Sequence, residues 1–450
     1  MLTTVEAKSS DYMNKIVKLW NLKTNHEVEF NATKTKNGYN LLISSKNKVF
    51  KELFSNKPIK INVDEGPLIT SPNFTFGTAG LVAKGSVLDI LNPKLTKDIE
   101  KNLKSKPEFN YEGKVSFSNE LESKLVIQPF IIDDKDVNIK TSKIIDTSSY
   151  NLDTFIGKES IKIDEVVLKP KKEEGILKLS GVSINTNAPQ EPIEDFMLFV
   201  KSSFEIKNLE FSAKGKNRQG IHTKLYVKFN GDTLRVDKDL LDFKLGYDIK
   251  AQDVQTIALA KGVKETTLNL EFKNLGISGF IDLIKLNKQM QKANEELLEA
   301  SQKGDDVAMQ KAILKTGEFA NKIVPIWNKT FIANKSKLLL DLELKSDKTS
   351  YVKLDFLYKG KPLSGNAQSA LISLMAQQLA IFDGKFDIAL DSSLASSINP
   401  FALMGLDMLK AKGFVTVKDG IYYLKGELKG GKIIINGKAY SLPELTKALF

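Results

Sequence analysis

The sequence predicts a mainly β (α+β) fold: extended, curved antiparallel sheets with an inserted helical hairpin and short terminal helices. Three observations predict it. Apolar and polar residues alternate at period two over most of the 450 residues. The alternating runs break at Asn-Gly, Asp-Gly and Gly-Gly pairs, which reach the left-handed backbone region that tight hairpin turns require. One long stretch, residues 277–325, abandons period two for helical spacing.

Taken in order, Ala7 to Leu22 reads as an amphipathic helix with Tyr12, Ile16, Leu19 and Trp20 on one face, within an N-terminal segment 1–24. A β-rich region 25–190 follows. Its first hairpin sets Val28, Phe30 and Ala32 against Tyr39, Leu41 and Ile43. A two-residue turn at Asn37-Gly38 pairs Lys36 with Tyr39 and Ala32 with Ile43, which puts both apolar sets on one face. Short strands are expected to repeat to Asp248, as at Lys114–Phe117, Lys124–Ile127, Glu165–Leu168, Ile176–Leu179 and Lys224–Val227, with a turn at Asn230-Gly231-Asp232. One sheet face should be apolar and the other lysine-rich. A central β-rich region covers 191–276.

The helical hairpin occupies 277–325. Leu283, Leu286, Met290, Ala293, Leu297 and Ala300 form a narrow seam, with Ser278 as the cap. Gly304-Asp305-Asp306 breaks it, and a second helix runs from Asp306 to Val324 and stops at Pro325. An apolar stripe has to be covered. Its partner is the other helix or the sheet on one reading. On the other, Leu283, Leu286, Met290, Ala293 and Leu297 form the seam of a homodimer.

Strands return in 326–450. Leu338, Leu340, Leu342 and Leu344 face Val352, Leu354, Phe356 and Tyr358, followed by Phe386, Ile388 and Leu390. A helix is expected over 400–412. Hairpin turns then fall at Asp419-Gly420, Gly430-Gly431 and Asn436-Gly437, placing Val415, Val417, Tyr422, Leu424, Leu428, Ile433 and Ile435 on one face. A terminal helix covers 443–450.

Composition narrows the function. Hydrophobic residues make up 42%, enough for a packed interior. There is no cysteine, which excludes disulfides, thiolate metal sites and cysteine nucleophiles. With two histidines, His26 and His222, a metal site is not expected. The net charge of +11 comes almost wholly from lysine, with arginine only at Arg218 and Arg235. Lysine along strands reads as a solvated face that blunts edge pairing, or as a surface drawn to anionic headgroups. Nucleic acid is not an expected partner, because no basic cluster interleaves with stacking aromatics.

No apolar run reaches the roughly 18 residues that span a bilayer. The best candidate, Leu371 to Phe382, is broken by Gln377 and Gln378, and Met1-Leu2-Thr3-Thr4 opens no signal peptide. The chain by itself is expected to be soluble.

No nucleophile elbow, phosphate loop, dinucleotide fingerprint or zinc-protease signature occurs, so no catalytic or cofactor-binding residues are assigned and no cofactor is expected. Lys429-Gly430-Gly431-Lys432 reads as a turn. Asp133-Asp134-Lys135-Asp136 lacks the glycine and closing glutamate of a calcium loop and also reads as a turn. Asp383, Asp387 and Asp391 read as a solvent-facing stripe. Serines and lysines are too many for spacing to single out a Ser-Lys dyad.

Two segments carry a family resemblance. Ile61-Asn62-Val63-Asp64-Glu65-Gly66-Pro67-Leu68, and Gly431 to Lys438 followed by Ser441-Leu442, resemble the early and final segments of the YdgA-like family of Gram-negative bacterial envelope proteins. The order of the remaining elements is similar along nearly the whole chain. Gly38, Gly66, Pro67, Asn436 and Gly437 fall on the family's motif positions and read as structural. Glu65 stands where the family usually has His, and Asn37 where it commonly has Arg. The resemblance implies a periplasmic protein anchored to the inner membrane by a segment absent from this chain, with residues 1–24 as a juxtamembrane helix. It implies no established biochemical activity.

Three functions are therefore carried forward. The first is non-enzymatic binding or shielding of a lipid or other apolar ligand on a curved sheet, motivated by the excess of strand over helix available to cover it. The second is a structural or interaction protein of the envelope acting as a dimer or scaffold. The third is an unidentified hydrolase.

Overall fold

The computed structural model describes residues 9–45, 53–55, 57–65, 69–71, 74–76, 79–116, 118–172, 175–194, 196–214, 220–252, 262–365, 368–370, 372, 378–399 and 401–449. The protein is mainly β, and its strand pairings are antiparallel. The chain forms two compact units, Met1–Gly231 with Lys250–Ile257, and Asp232–Ile249 with Ala258–Phe450. The division falls inside the 191–276 stretch that the sequence suggested as one region.

In the first unit a helix, Ser9–Lys23, packs on a meander. Met13, Ile16, Leu19 and Leu22 are at most 1% exposed, with Tyr12 and Trp20 half-buried beside them. Each such aliphatic side chain contributes roughly 1.5–3 kcal/mol by leaving water. The strands of this first sheet pair in the order Glu29–Thr35, Gly38–Ser44, Ile59–Glu65, Ala79–Ser86, Glu108–Val115, Glu120–Ile127, Ile144–Asn151, Gly157–Pro170, Gly175–Ala188 and Lys201–Lys214. Three short strands depart from that order: Phe130–Asp133 pairs with Leu103–Ser105 and with Val137–Thr141, and Val137–Thr141 pairs with Gly157–Pro170.

Two helices that strand patterning hides, Val87–Ile90 and Pro93–Glu100, interrupt this meander. Their local signals were present. Ser86 and Asp89 form a reciprocal capping box, and Asn92 caps a helix that opens on Pro93.

Two turns differ from expectation. The first hairpin pairs Ala32 with Leu41 and Lys34 with Tyr39, so the turn is Lys36-Asn37 and not Asn37-Gly38. The shift is two residues, which leaves the apolar face unchanged. Gly38 is drawn into the strand, paired to Thr35 on one side and Asn62 on the other, at φ 151°. A second correction concerns Asn230-Gly231-Asp232. The strand Gly220–Asp237 runs straight through it, neither Asn230 nor Gly231 has a positive φ, and the chain turns at Lys238-Asp239. An Asn-Gly pair offers a turn but does not compel one where a longer ladder can form.

In the second unit, Ile277–Lys303 and Asp306–Thr330 pack antiparallel, with Lys329–Asp282 at one end and Lys315–Glu296 further along. Ser278 is not the cap. The helix starts at Ile277 after Gly276, which has no side chain to cap with. Pro325 does not end the second helix but lies within it. The turn beyond it is held by side-chain contacts. Ile326 is buried against Leu286 and Phe319, the Trp327 indole N–H donates to Tyr358 Oη at 3.1 Å, and Thr330 Oγ1 donates to Ile326 O at 2.8 Å. Those contacts offset a proline penalty of about 3 kcal/mol.

The following strands keep their expected partners. Leu340 pairs with Leu354, which pairs in turn with Phe386, and Leu342 pairs with Val352, which pairs with Ile388. Helices Ser392–Ile398 and Ala402–Ala411 come next; the first was not expected, and Pro400 lies outside the described residues. Two-residue turns fall at Asp419-Gly420, Gly430-Gly431 and Asn436-Gly437, all six residues at positive φ. Phe414, Val415 and Ile435 form the buried centre of this end, with Tyr422, Leu424 and Ile433 around them. The helix Leu442–Leu449 follows, and Phe450 is outside the described residues.

Candidate functional site

The inner face of the first sheet, the one covered by the N-terminal helix, should be apolar throughout. Its first strands obey: Phe30, Leu41, Ile61 and Leu81 all pack into the core. Further along, the register interrupts the rule. Gly113 pairs with Ser123, Ser123 with Ser148, and Ser148 with Glu159, making one polar row. In the neighbouring row Tyr111 and Asp146 both pair with Leu125. Ile144, Asp146, Ser148 and Tyr150 share this parity, so one strand supplies both apolar and polar groups to one face.

A cavity of about 330 Å³ lies where the polar rows meet the apolar ones. Trp20 and Lys23 of the helix line it together with Phe30, Ile43, Ala83 and Ile127, and Tyr111, Ser123, Asp146 and Ser148 form its polar end. That volume is at the lower end for small-molecule sites, about 300–1,000 Å³. Buried polar groups normally find partners. Here Tyr111 Oη, Asp146 Oδ1 and Tyr150 Oη have none among the described residues.

Charge reinforces the pattern. Burial, then repulsion from Glu159, pushes the Asp146 carboxyl up to about 6, against the opposing pull of Lys23. Burial raises the Tyr111 phenol to about 12, Ser123 opposing and Asp146 adding. Tyr150 is raised too, by burial first and then by Glu159 and Asp146. The nearby cation is committed: Lys23 Nζ lies 2.7 Å from Glu159 Oε1 and 5.4 Å from the centre of the Tyr150 ring.

This arrangement predicts a pH response. The folded chain holds the Asp146 proton more tightly than the unfolded chain, whose carboxyl titrates near 3.8. The contribution is full below about pH 4 and is lost as pH rises through about 6. Partial solvent access limits it to about 1 kcal/mol. Asp146→Asn should flatten this part of the stability profile, measured by urea unfolding at pH 4, 6 and 8. Parallel profiles for the two proteins would assign the slope to another group.

The Ser123 and Ser148 hydroxyls bond each other at 2.7 Å, and Lys23 is turned to Glu159, so no Ser-Lys dyad is assembled here. Among the described residues no group of three or more His, Asp or Glu side chains is placed to hold a metal. No helix among them is long and apolar enough to cross a membrane.

The residues singled out from sequence lie elsewhere. Gly38 is in the first sheet, outside the cavity; Gly66 and Pro67 are outside the described residues. Asn436 and Gly437 form a hairpin turn, where Asn436 Nδ2 donates to Gly413 O at 2.7 Å. Leu286, Met290 and Ala293 pack inside the helix pair on Phe319 and Ile326, Leu297 is half-buried, and Leu283 is 46% exposed. Asp133 to Asp136 join two strands as a turn, and Asp133 is lowered to about 2 by Lys171 and Asn138.

The Asp383, Asp387, Asp391 stripe needs correction. Asp391 is 2% exposed and accepts from the Ser393 hydroxyl, because its strand runs directly into a helix there. Asp387 accepts from Tyr351 Oη at 3.1 Å and pairs with Lys425 at 2.8 Å. A second, wider concavity of about 660 Å³ is lined by Lys353, Asp387, Lys425 and Glu427, whose charges are largely matched across strands, as expected of a solvated lysine face.

Sequence reading missed Tyr111, Ser123, Asp146 and Ser148. The available signal was the even-numbered series from Ile144 to Tyr150, where Asp and Ser occupy the apolar parity.

No curated protein and no solved structure matches the chain. A family model described as bacterial protein of unknown function (DUF945) matches residues 55–443, a span that includes all but the helix and first hairpin of the cavity wall. The chain belongs to that bacterial family.

Proposed function

We propose that this is a non-enzymatic periplasmic envelope protein of YdgA-like type that binds, or shields, a lipid or other apolar ligand against the curved inner face of its first sheet. One observation carries the reading: an apolar cavity of about 330 Å³ ends in buried polar groups that have no hydrogen-bond partner among the described residues. A void that served packing alone would be lined by apolar atoms and would be costly. The helix Ser9–Lys23 forms one wall, which on this reading places the ligand at the end of the chain nearest the membrane.

The test is native mass spectrometry of the full chain purified without harsh detergent, alongside Ala83→Trp, which puts an indole into the cavity. The expected result is a bound apolar adduct on the wild type and none on the variant, with the thermal midpoint of each recorded to show that both fold. A wild type free of adduct, together with a Trp327→Phe variant whose Trp20 emission also ignores added single-chain amphiphiles, would remove the reading.

A second reading, a dimer or scaffold, is favoured by the outer faces of the helix pair, where Leu283, Leu298, Val307 and Leu314 are 46–79% exposed. Leu286 and Met290 are engaged inside the pair, so Leu283→Glu with Leu298→Glu is the proper test. Sedimentation at micromolar concentration should show a dimer dissociated by the double substitution. A wild-type monomer rejects this second reading.

A further inference from the structure

The polar end of the cavity is selective in its chemistry. It presents Asp146 Oδ1 and Tyr111 Oη, buried and without hydrogen-bond partners among the described residues, on the two strands that flank Glu120–Ile127. Two carboxylates, Asp146 and Glu159, face a single ammonium group, and Lys23 is already bound by Glu159 at 2.7 Å. A free fatty acid would bring a third carboxylate into this low-dielectric end, where like charges repel strongly. A head that donates a hydrogen bond meets an acceptor at Asp146 instead, and a hydroxyl also accepts from the Tyr111 phenol.

The apolar part sets the size. A cavity of about 330 Å³, at the lower end for small-molecule sites, suits one short alkyl chain. The room for Tyr111 is itself built in. Its hydroxyl lies over Gly113, where an added Cβ would approach Oη to 3.0 Å.

We infer that the cavity selects a single-chain amphiphile whose head donates hydrogen bonds and carries no negative charge, and that Tyr111 and Asp146 are the residues that select it. This rests on the reading of the cavity as a site for an apolar ligand.

The chain has two tryptophans, Trp20 at the cavity and Trp327 in the other unit, so Trp327→Phe makes Trp20 emission the reporter. At pH 8, 1-decanol, decylamine and decanoate are titrated against it. The two donor heads should bind at least about tenfold more tightly than the carboxylate, the usual size of discrimination for one unpaired buried polar group. Asp146→Asn should narrow that gap by improving decanoate, while its thermal midpoint stays at or above the wild-type value.

Decanoate binding as tightly as either donor-headed probe overturns the selectivity and leaves the apolar site standing. A gap unchanged in Asp146→Asn overturns the role of Asp146. No response of Trp20 to any of the three removes the apolar site, and this inference falls with it.

Discussion

Gly38→Ala should cost about 4 kcal/mol, at the top of the range for single substitutions. Two independent penalties add. At φ 151° the backbone occupies a region that a side chain strongly disfavours. A Cβ there would also lie 2.0 Å from Ile61 O, in the adjacent strand, and neither backbone can retreat without breaking the ladder that pairs Gly38 with both Thr35 and Asn62. Urea unfolding followed by Trp20 emission in a Trp327→Phe background should show a large fall in midpoint. The contrast is Gly437→Ala. Gly437 also has a positive φ, 78°, but nothing lies within 4 Å of its missing Cβ, so about 1 kcal/mol is expected, read by Trp327 emission in a Trp20→Phe background because Gly437 lies in the second unit. Equal losses at the two positions would show that the close approach to Ile61 is not what requires Gly38.

Gly276→Ala should destabilise the second unit by about 3 kcal/mol, for a different reason. Gly276 has an ordinary backbone, φ −68° and ψ 122°, that alanine adopts freely. The cost is purely steric. An added Cβ would lie 1.9 Å from Lys329 O, at the point where the start of one helix passes the end of the other. Gly279 is pressed in the same way, with its missing Cβ 2.4 Å from Thr330 N. Trp327 is two residues from this crossing, so its emission in a Trp20→Phe background is the measurement. Gly317→Ala is the control. Gly317 lies within the second helix with nothing near its missing Cβ, and there alanine should stabilise by up to about 1 kcal/mol. A loss at Gly317 matching that at Gly276 would mean that the helices respond to alanine generally and not to the crossing.

These two glycines and the polar rows of the first sheet share one origin. Each is a place where a neighbour remote in sequence comes close enough to dictate the residue. Ile61 dictates Gly38, Lys329 dictates Gly276, and the Tyr111 hydroxyl rests on Gly113. At the cavity the logic is reversed. Asp146, Ser123 and Ser148 occupy positions where packing alone calls for aliphatic side chains, and a buried carboxyl pushed up to about 6 is a cost that the fold does not require.

What the sequence by itself determined is whatever short-range chemistry controls. The final turns at Asp419-Gly420, Gly430-Gly431 and Asn436-Gly437 are legible because adjacent residues must all reach positive φ, and few residue types do so cheaply. The alternation from Leu338 to Leu344 is legible because period two puts these leucines on one face of the strand, where they meet Phe356, Leu354 and Val352. The helix Ser9–Lys23 follows from its apolar stripe.

Tertiary structure decided the rest. It slid the first hairpin by two residues to bring Gly38 under Ile61, carried a strand straight through Asn230-Gly231, and held a helical turn beyond Pro325 through Ile326 and Trp327. It alone aligned Ser123, Ser148 and Glu159 in one row beside Tyr111 and Asp146. Turn propensities amount to about a kilocalorie each, and cross-strand register and buried contacts outweigh them wherever the two compete. A site assembled across four strands is set by that register, so no single stretch of the chain displays it.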